Sequence, residues 1–289
     1  MSPSPSFQAP QLASFLPLLH SEAAPEGGRL VVEQVLGRSV VTSARGHGPL
    51  RLLTPKNHGH AAWVYQSTLG GGFVGADALT LDVRVGAGAT AFLSSQAAGK
   101  VYRGTDCRFT LDARVEAGAT LVNWPDPTML FTGSRLTQRQ RFDLADGASL
   151  VCVDACTAGR VATGERWATE QLELHLEVSC AGRAVFADGV TLSQRHGPVV
   201  ERLGGINALA TVVLAGPAFE QAIEGLERDV TSTPLERLPA PLVVASRWPW
   251  GLVLRVGAAS APALQTTLDG LLRPLVVAAL GDDPLARKR

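Results

Sequence analysis

Cysteine, net charge and long unbroken apolar runs are all scarce in this sequence, and each shortage removes a class of protein. Four cysteines stand in 289 residues: Cys107, Cys152, Cys156 and Cys180. They form no paired CxxC spacing of a zinc finger and are too few for a disulfide scaffold, so a reducing compartment is expected. Lys plus Arg equals Asp plus Glu at 26 each. That balance lacks the positive excess that draws nucleic acid or an anionic membrane, and neither is expected as a partner. The basic end Arg287-Lys288-Arg289 reads as a solvated tail. The first 25 residues hold no Lys or Arg and are interrupted by Pro3, Pro5, Pro10 and Pro17, unlike a secretory leader. The apolar stretch from Leu271 to Leu280 is broken by Arg273 and Pro274 and reads as too short to span a bilayer. A soluble, cytoplasmic protein is the expectation.

What is present is the texture of a folded chain, 46% apolar and 18% charged. Residues 1–25 read as a flexible Ser/Pro/Ala-rich arm and residues 26–289 as one β-rich domain. From Leu30 onward short apolar runs alternate with Gly, Asp and Asn, a strand-and-turn pattern. Three stretches repeat. Leu81-Asp82-Val83-Arg84-Val85 leads into Gly88-Ala89, Leu111-Asp112-Ala113-Arg114-Val115 into Gly118-Ala119, and Arg141-Phe142-Asp143-Leu144 into Gly147-Ala148. The Gly-Ala pairs begin at 88, 118 and 147, steps of 30 and 29 residues. Each unit reads as strand, glycine turn, strand, and units that cannot bury their own faces are expected to stack. The fold class expected is mainly β, with stacked layers in a β-helix-like body. A sandwich of similar hairpins remains the alternative. Helical periodicity is nearly absent before residue 215. About two C-terminal helices follow: one around Phe219–Leu226 and one over Ala261–Leu280, with Pro262 near its start, a kink at Pro274 and Gly281 after its end. Val243 to Val256 reads as strands around the Trp248-Pro249-Trp250 turn. These elements are expected on one edge of the β body.

The sequence carries few signs of chemistry. Gly70-Gly71-Gly72-Phe73-Val74-Gly75 satisfies GxGxxG, but a dinucleotide site needs a helix to begin there, and the alternating Leu79–Val85 stretch reads as a strand. A glycine-dense turn, or a backbone surface that is closely approached, fits better. His58-Gly59-His60 could present two imidazoles on one face of an extended segment, but without further ligands it reads as a loop pair. Cys152, Asp154 and Cys156 alternate and would share one face of a strand. They are either core thiols or a transient soft-and-hard ligand set. Asp154 is costly to bury unless paired or hydrated, and Arg160 and Glu165 lie near it in sequence. No Ser/His/Asp order, nucleophile elbow, phosphate-binding loop or HExxH helix appears, so no enzyme is expected.

Four stretches, in order, carry a resemblance to the urease accessory protein D (UreD) family, called H in some organisms. They are the glycine block Tyr65–Gly75 with Asp77, the Gln96…Lys100-Val101-Tyr102 stretch, the Pro125-Asp126-Pro127 motif, and Asp154 with Gly159-Arg160 and Gly164-Glu165. The similarity runs from about Leu30 to Val200. It implies a scaffold with a β-helix-like body and C-terminal helices. Such a scaffold binds apo-urease and the helical accessory protein UreF, which recruits the GTPase UreG, with a homodimer possible within that complex. The family is thought to pass nickel through a water-filled tunnel, so nickel in transit is expected and no tightly bound cofactor. On this resemblance Asp77, Asp126, Asp154 and Glu165 are the candidates to line or gate the nickel path, and alanine at Asp154 or Glu165 is expected to lower urease activation. Arg160 reads as the ion-pair partner of Glu165, and Asp126 is equally a turn residue. The chain departs from relatives at Gly99, where Thr is frequent, at Asp154, where some carry Glu, and at Val122-Asn123, where some carry a carboxylate. Two rivals stay open. A β-solenoid hydrolase would bring Asp126 and Glu165 into one open cleft, and a plain interaction module would have a solid apolar interior.

Overall fold

The computed structural model describes residues 27–286; the arm expected over 1–25 and the basic tail at 287–289 lie outside the described residues. In chain order the strands are β1 (Gly28–Val35), β2 (Arg38–Arg45), β3 (Leu50–Leu53), β4 (Ala62–Thr68), β5 (Ala78–Val85), β6 (Thr90–Ser95), β7 (Lys100–Val101), β8 (Cys107–Val115), β9 (Thr120–Asn123), β10 (Thr128–Leu130), β11 (Arg135–Leu144), β12 (Ser149–Thr157), β13 (Gln171–Cys180) and β14 (Arg183–Ser193). A short helix α1 (Val199–Leu203) precedes β15 (Ala208–Ala215), α2 (Glu220–Ser232), β16 (Leu242–Trp248), β17 (Gly251–Ala258) and α3 (Ala261–Leu280).

The repeat is a coil of a β-helix. The two strands flanking each Gly-Ala turn do not pair with each other, as a hairpin would require. Each pairs in parallel with its counterpart one unit on. Leu81 lies opposite Leu111, Ala91 opposite Leu121 and Leu121 opposite Leu150. The first strands of the units therefore build one sheet, in the order β14-β13-β11-β8-β5-β1-β2, and the second strands another, in the order β16-β17-β15-β12-β9-β6-β4-β3. A short third ladder joins Phe73, β7 and β10. At the corners Gly88, Gly118 and Gly147 adopt φ near +70° (+67°, +66° and +70°), a conformation that glycine takes without Cβ strain. The corners stack on each other: Gly88 N–H donates to Ala117 O at 3.0 Å and Gly118 N–H to Asp146 O at 3.3 Å. The following alanines, Ala89, Ala119 and Ala148, are buried in the corner.

Apolar residues in one phase of the strands fill the space between the sheets. Val83, Leu111, Val115, Phe142 and Leu144 meet Leu93, Leu121, Leu150 and Cys152 there. The opposite phase of the second sheet faces α3, where Trp63, Phe92, Val122, Val151 and Val153 pack on Leu264, Leu268, Leu272, Val276 and Leu280. The strict spacing of four puts those helix residues on one stripe, and burying each contributes about 1.5–3 kcal/mol. Ser260 caps the helix by accepting from Ala263 N–H at 3.2 Å, and Gly281 ends it in the left-handed region at φ +68°. The helix continues through Pro274. At 20 residues, twice the length of the Leu271–Leu280 stretch, and with a mean hydropathy of 1.2 over its apolar window, the helix is long and apolar enough by length and composition to cross a membrane; its apolar stripe is packed on the sheet. The C-terminal elements also do more than sit at one edge. Strands β15, β17 and β16 extend the second sheet antiparallel beyond β12, while α3 covers that sheet's outer face.

Candidate functional site

The inter-sheet core is interrupted where inward positions of β11 and β12 change chemistry. On β11 the sequence Leu136-x-Gln138-x-Gln140-x-Phe142 keeps strand phase, so two amides point where the neighbouring strands place leucines and phenylalanine. Gln138 and Gln140 are buried, as are Asn123 of β9 and Asp154 of β12. Gln138 Nε2 donates to Asp154 Oδ1 at 2.8 Å, and Gln140 is a second hydrogen-bond partner of the same carboxyl. Asn123 Nδ2 in turn donates to Gln140 Oε1 at 3.0 Å. These four side chains lie in the wall of a cavity of about 80 Å³, whose lining also includes Ser95, Gly99 and Asp126 beside apolar Phe73, Phe109 and Leu111. That is room for several waters. Asn123 Oδ1 is buried in this wall without a protein hydrogen-bond partner, the kind of group that ordered water satisfies.

Asp154 is 7% exposed. Burial pushes its carboxyl up to about 6, against the pull of the Gln138 and Gln140 hydrogen bonds. Near neutral pH it is thus an anion held in a small wet space, stabilised by amide dipoles. Cys152 and Cys156 share its strand phase, as the alternation implied, and both are buried. Burial, with the Asp154 charge behind it, pushes both thiols far up, so they are neutral apolar packing rather than soft ligands. Among the described residues no three His, Cys, Asp or Glu are grouped to hold a metal ion.

The other candidates lie in different surroundings. Asp126 joins Asp154 in the lining of the cavity. Its N–H donates to Ser95 Oγ at 2.7 Å, and that hydroxyl donates back to Asp126 Oδ2 at 3.2 Å. Asp77 does not line the cavity; its Oδ2 accepts from Val74 N–H at 2.8 Å and so ties the glycine loop. Glu165 also lies off the cavity. It accepts from Thr132 N–H and from Arg160 Nε at 2.7 Å, and Arg160 in turn lies 5.0 Å over the Phe131 ring. Burial acts to raise the Glu165 carboxyl, but the Thr132 and Arg160 bonds outweigh it and hold it below its ordinary value. The geometry thus joins Asp126 and Asp154 and leaves Asp77 and Glu165 in structural clasps.

The glycine block is a turn closely approached by its own chain. Phe73 N–H donates to Lys100 O at 2.7 Å, and a Cβ on Gly72 would sit 2.3 Å from that oxygen. Strand β5, not a helix, follows, so the phosphate cradle is absent. His58-Gly59-His60 receives the end of α3: His60 Nε2 lies 3.0 Å from Ala279 O, and His58 N–H donates to Asp282 Oδ2 at 3.1 Å.

The sequence points to Asp154 and Asp126 but not to Gln138 and Gln140, and to Asn123 only as a departure from relatives. Gln138, Gln140 and Asn123 were findable as polar residues in the apolar phase of a strand. Without the coil register, nothing said that they face one another.

A family model described as UreD urease accessory protein matches residues 26–289. The chain belongs to the UreD urease accessory protein family. It is 46% identical over 265 residues to a urease accessory protein UreD from Sorangium cellulosum, covering 90% of this chain and 83% of that protein. Against a protein of the same name from Anaeromyxobacter it is 43% identical over 263 residues, 90% of this chain and 88% of the other. A urease accessory protein D of Oryza sativa subsp. japonica is 32% identical over 240 residues, 80% of this chain and 78% of that one. The UreD match extends through the antiparallel strands and α3, beyond the stretch where the sequence motifs lie.

Proposed function

We propose that this UreD-family chain is a non-catalytic, cytoplasmic urease maturation factor. In this reading it binds apo-urease together with UreF and UreG, with a homodimer within that complex, and lets nickel pass through the polar space between its sheets. The observation that carries the proposal is the buried carboxylate Asp154 beside three amide side chains, Asn123, Gln138 and Gln140, in the lining of one cavity. A divalent cation crossing an apolar interior meets a prohibitive desolvation cost, which waters, amide oxygens and a single anion lower. One carboxylate without a second, third or fourth protein ligand holds the ion weakly enough to release it. Asp126, in the same lining, supplies the next oxygen donor along this space. The two rivals fit less well. A hydrolase using Asp126 and Glu165 needs both in one cleft, and Glu165 is engaged by Arg160 and Thr132 away from the cavity. A plain interaction module has no use for a buried anion that folding must desolvate.

Co-expression of apo-urease with UreF and UreG, with and without this chain, tests the reading. Urease activity and bound nickel are both expected to require the chain. Equal maturation without it would overturn the assignment.

A further inference from the structure

The inner phase of β14 reads Phe186, Asp188, Val190, Leu192: one acid in an apolar stripe. Phe186 and Val190 pack on the apolar clusters at either end of the inter-sheet space. Strand β14 is the last of its sheet, whereas the facing sheet runs on through β15 to β17 and β16. The seam between the sheets therefore opens sideways at β14. On one side of Asp188 it is sealed by the Phe186 ring stacked on Trp248, centroids 4.9 Å apart. At Asp188 itself the seal is ionic: Arg255 of β17 donates to the two carboxylate oxygens at 3.0 and 2.6 Å.

This pair lies in line with the cavity. On the second sheet Asp154, Thr211 and Arg255 are direct cross-strand neighbours, so all three share the inward face. On the first sheet Gln140, Leu176 and Asp188 form the matching row. On the second sheet a polar row thus runs from Asp154 through Thr211 to Arg255 at the edge, while on the first the buried Leu176 stands between Gln140 and Asp188; Asp188 is close enough for its charge to act on Asp154. The Asp188 side chain is 14% exposed and that of Arg255 48%, so the acid faces inward and the guanidinium stands at the water.

We infer that the Asp188–Arg255 pair is a cationic stopper closing a side opening of the Asp154 chamber against divalent cations from bulk solvent. The guanidinium neutralises Asp188 and sets a fixed positive charge in the opening. A dication is repelled there, while the cavity lining that includes Ser95 and Asp126 holds no cationic side chain. The stopper deepens the cation-conveying reading and rests on it, since it gives that route a closed side wall. Without Arg255, Asp188, Thr211 and Asp154 would present two anions and a hydroxyl to any cation reaching the edge.

The test is isothermal titration of NiCl2 into the purified full-length chain. Arg255→Met, which keeps the aliphatic stem, is expected to bind Ni2+ at least tenfold more tightly than the unaltered chain, and Arg255→Lys to match the unaltered chain. Adding Asp154→Asn or Asp188→Asn to Arg255→Met should abolish the gain. Should Arg255→Met lose its folded circular-dichroism spectrum, Arg255→Gln, which can still hydrogen-bond Asp188, carries the same expectation. Affinity within twofold of the unaltered chain, or a gain that survives Asp154→Asn, would overturn the stopper. The assay contains no urease, so the two readings fail separately. Tightening with normal urease maturation by Asp154→Asn removes only the nickel-conveying role. Unchanged affinity with impaired maturation removes only the stopper.

Discussion

Replacing Asp154 by Asn removes the charge of a buried carboxylate and keeps its shape. In the folded chain burial raises this group from 3.8 to about 6, and at about 1.4 kcal/mol for each unit the rise amounts to about 3 kcal/mol. The folded state therefore keeps a proton that the unfolded chain gives up. The stabilising share of this group is whole below about pH 4 and is lost as the pH rises through about 6, above which folding must bury an anion. Asparagine has no such pH dependence. Its Oδ1 can still accept from Gln138, but its NH2 meets the Gln140 amide, which must turn and disturb the bond from Asn123, at a cost of about 1 kcal/mol. The net expectation is that Asp154→Asn is more stable than the unaltered chain by about 2 kcal/mol at pH 8. That advantage is expected to shrink by about 2 kcal/mol on going to pH 4.5. Urea unfolding of both proteins at the two pH values reads this directly. A variant less stable at pH 8, or a gap that does not change with pH, would refute the reasoning that Asp154 is a desolvated anion in this chamber.

Three further substitutions separate the chamber from its frame. Glu165→Gln is expected to cost about 1–3 kcal/mol at pH 7 by weakening the bonds from Arg160 and Thr132. Because the folded Glu165 carboxyl is lowered, its contribution is present above its ordinary 4.5 and lost as pH falls through the folded value; a deficit that persists unchanged in acid would contradict this. Gly159 has φ +98°, and a Cβ there would lie 2.6 Å from Leu130 O, so Gly159→Ala should lose at least about 2 kcal/mol, and an unchanged melting temperature would argue against that geometry. Leu272 of α3 is fully buried; Leu272→Ala is expected to lose about 2–5 kcal/mol in urea unfolding, and a loss below about 1 kcal/mol would argue that α3 is not seated on the sheet.

Much of the body was legible because its geometry is periodic. A 30-residue step with Gly-Ala at each corner admits a stacked coil, and the register of Leu81, Leu111 and Gln140 follows once the turns are superposed. Whether the flanking strands pair with each other or with the next unit is a tertiary matter, and nothing in Leu81–Val85 or Ala91–Leu93 alone decides it. The Ala261–Leu280 helix was legible from Pro262 near its start and Gly281 after its end, though not the face it would cover. The site was half legible. Asp154 stood out as an acid among apolar neighbours, whereas Gln138 and Gln140 are neutral amides whose meaning comes from a strand 16 or 14 residues away in sequence. Glu165, beside Gly164 in a motif, reads both as a path candidate and as the partner of Arg160; the structure holds it by Arg160 and by Thr132, whose N–H the sequence did not point to. Asp188 and Arg255 were invisible as a pair, because 67 residues separate them.

On the proposed function, Asp154 serves nickel transfer rather than stability. The most direct measurement is the nickel content of urease matured by co-expression with UreF, UreG and either the unaltered chain or Asp154→Asn. Each complex is first purified to establish that the variant is folded and still bound to its partners. Urease with substantially less nickel and activity is expected from a variant that is at least as stable at pH 8 and equally well bound. Full nickel loading by Asp154→Asn would contradict that role.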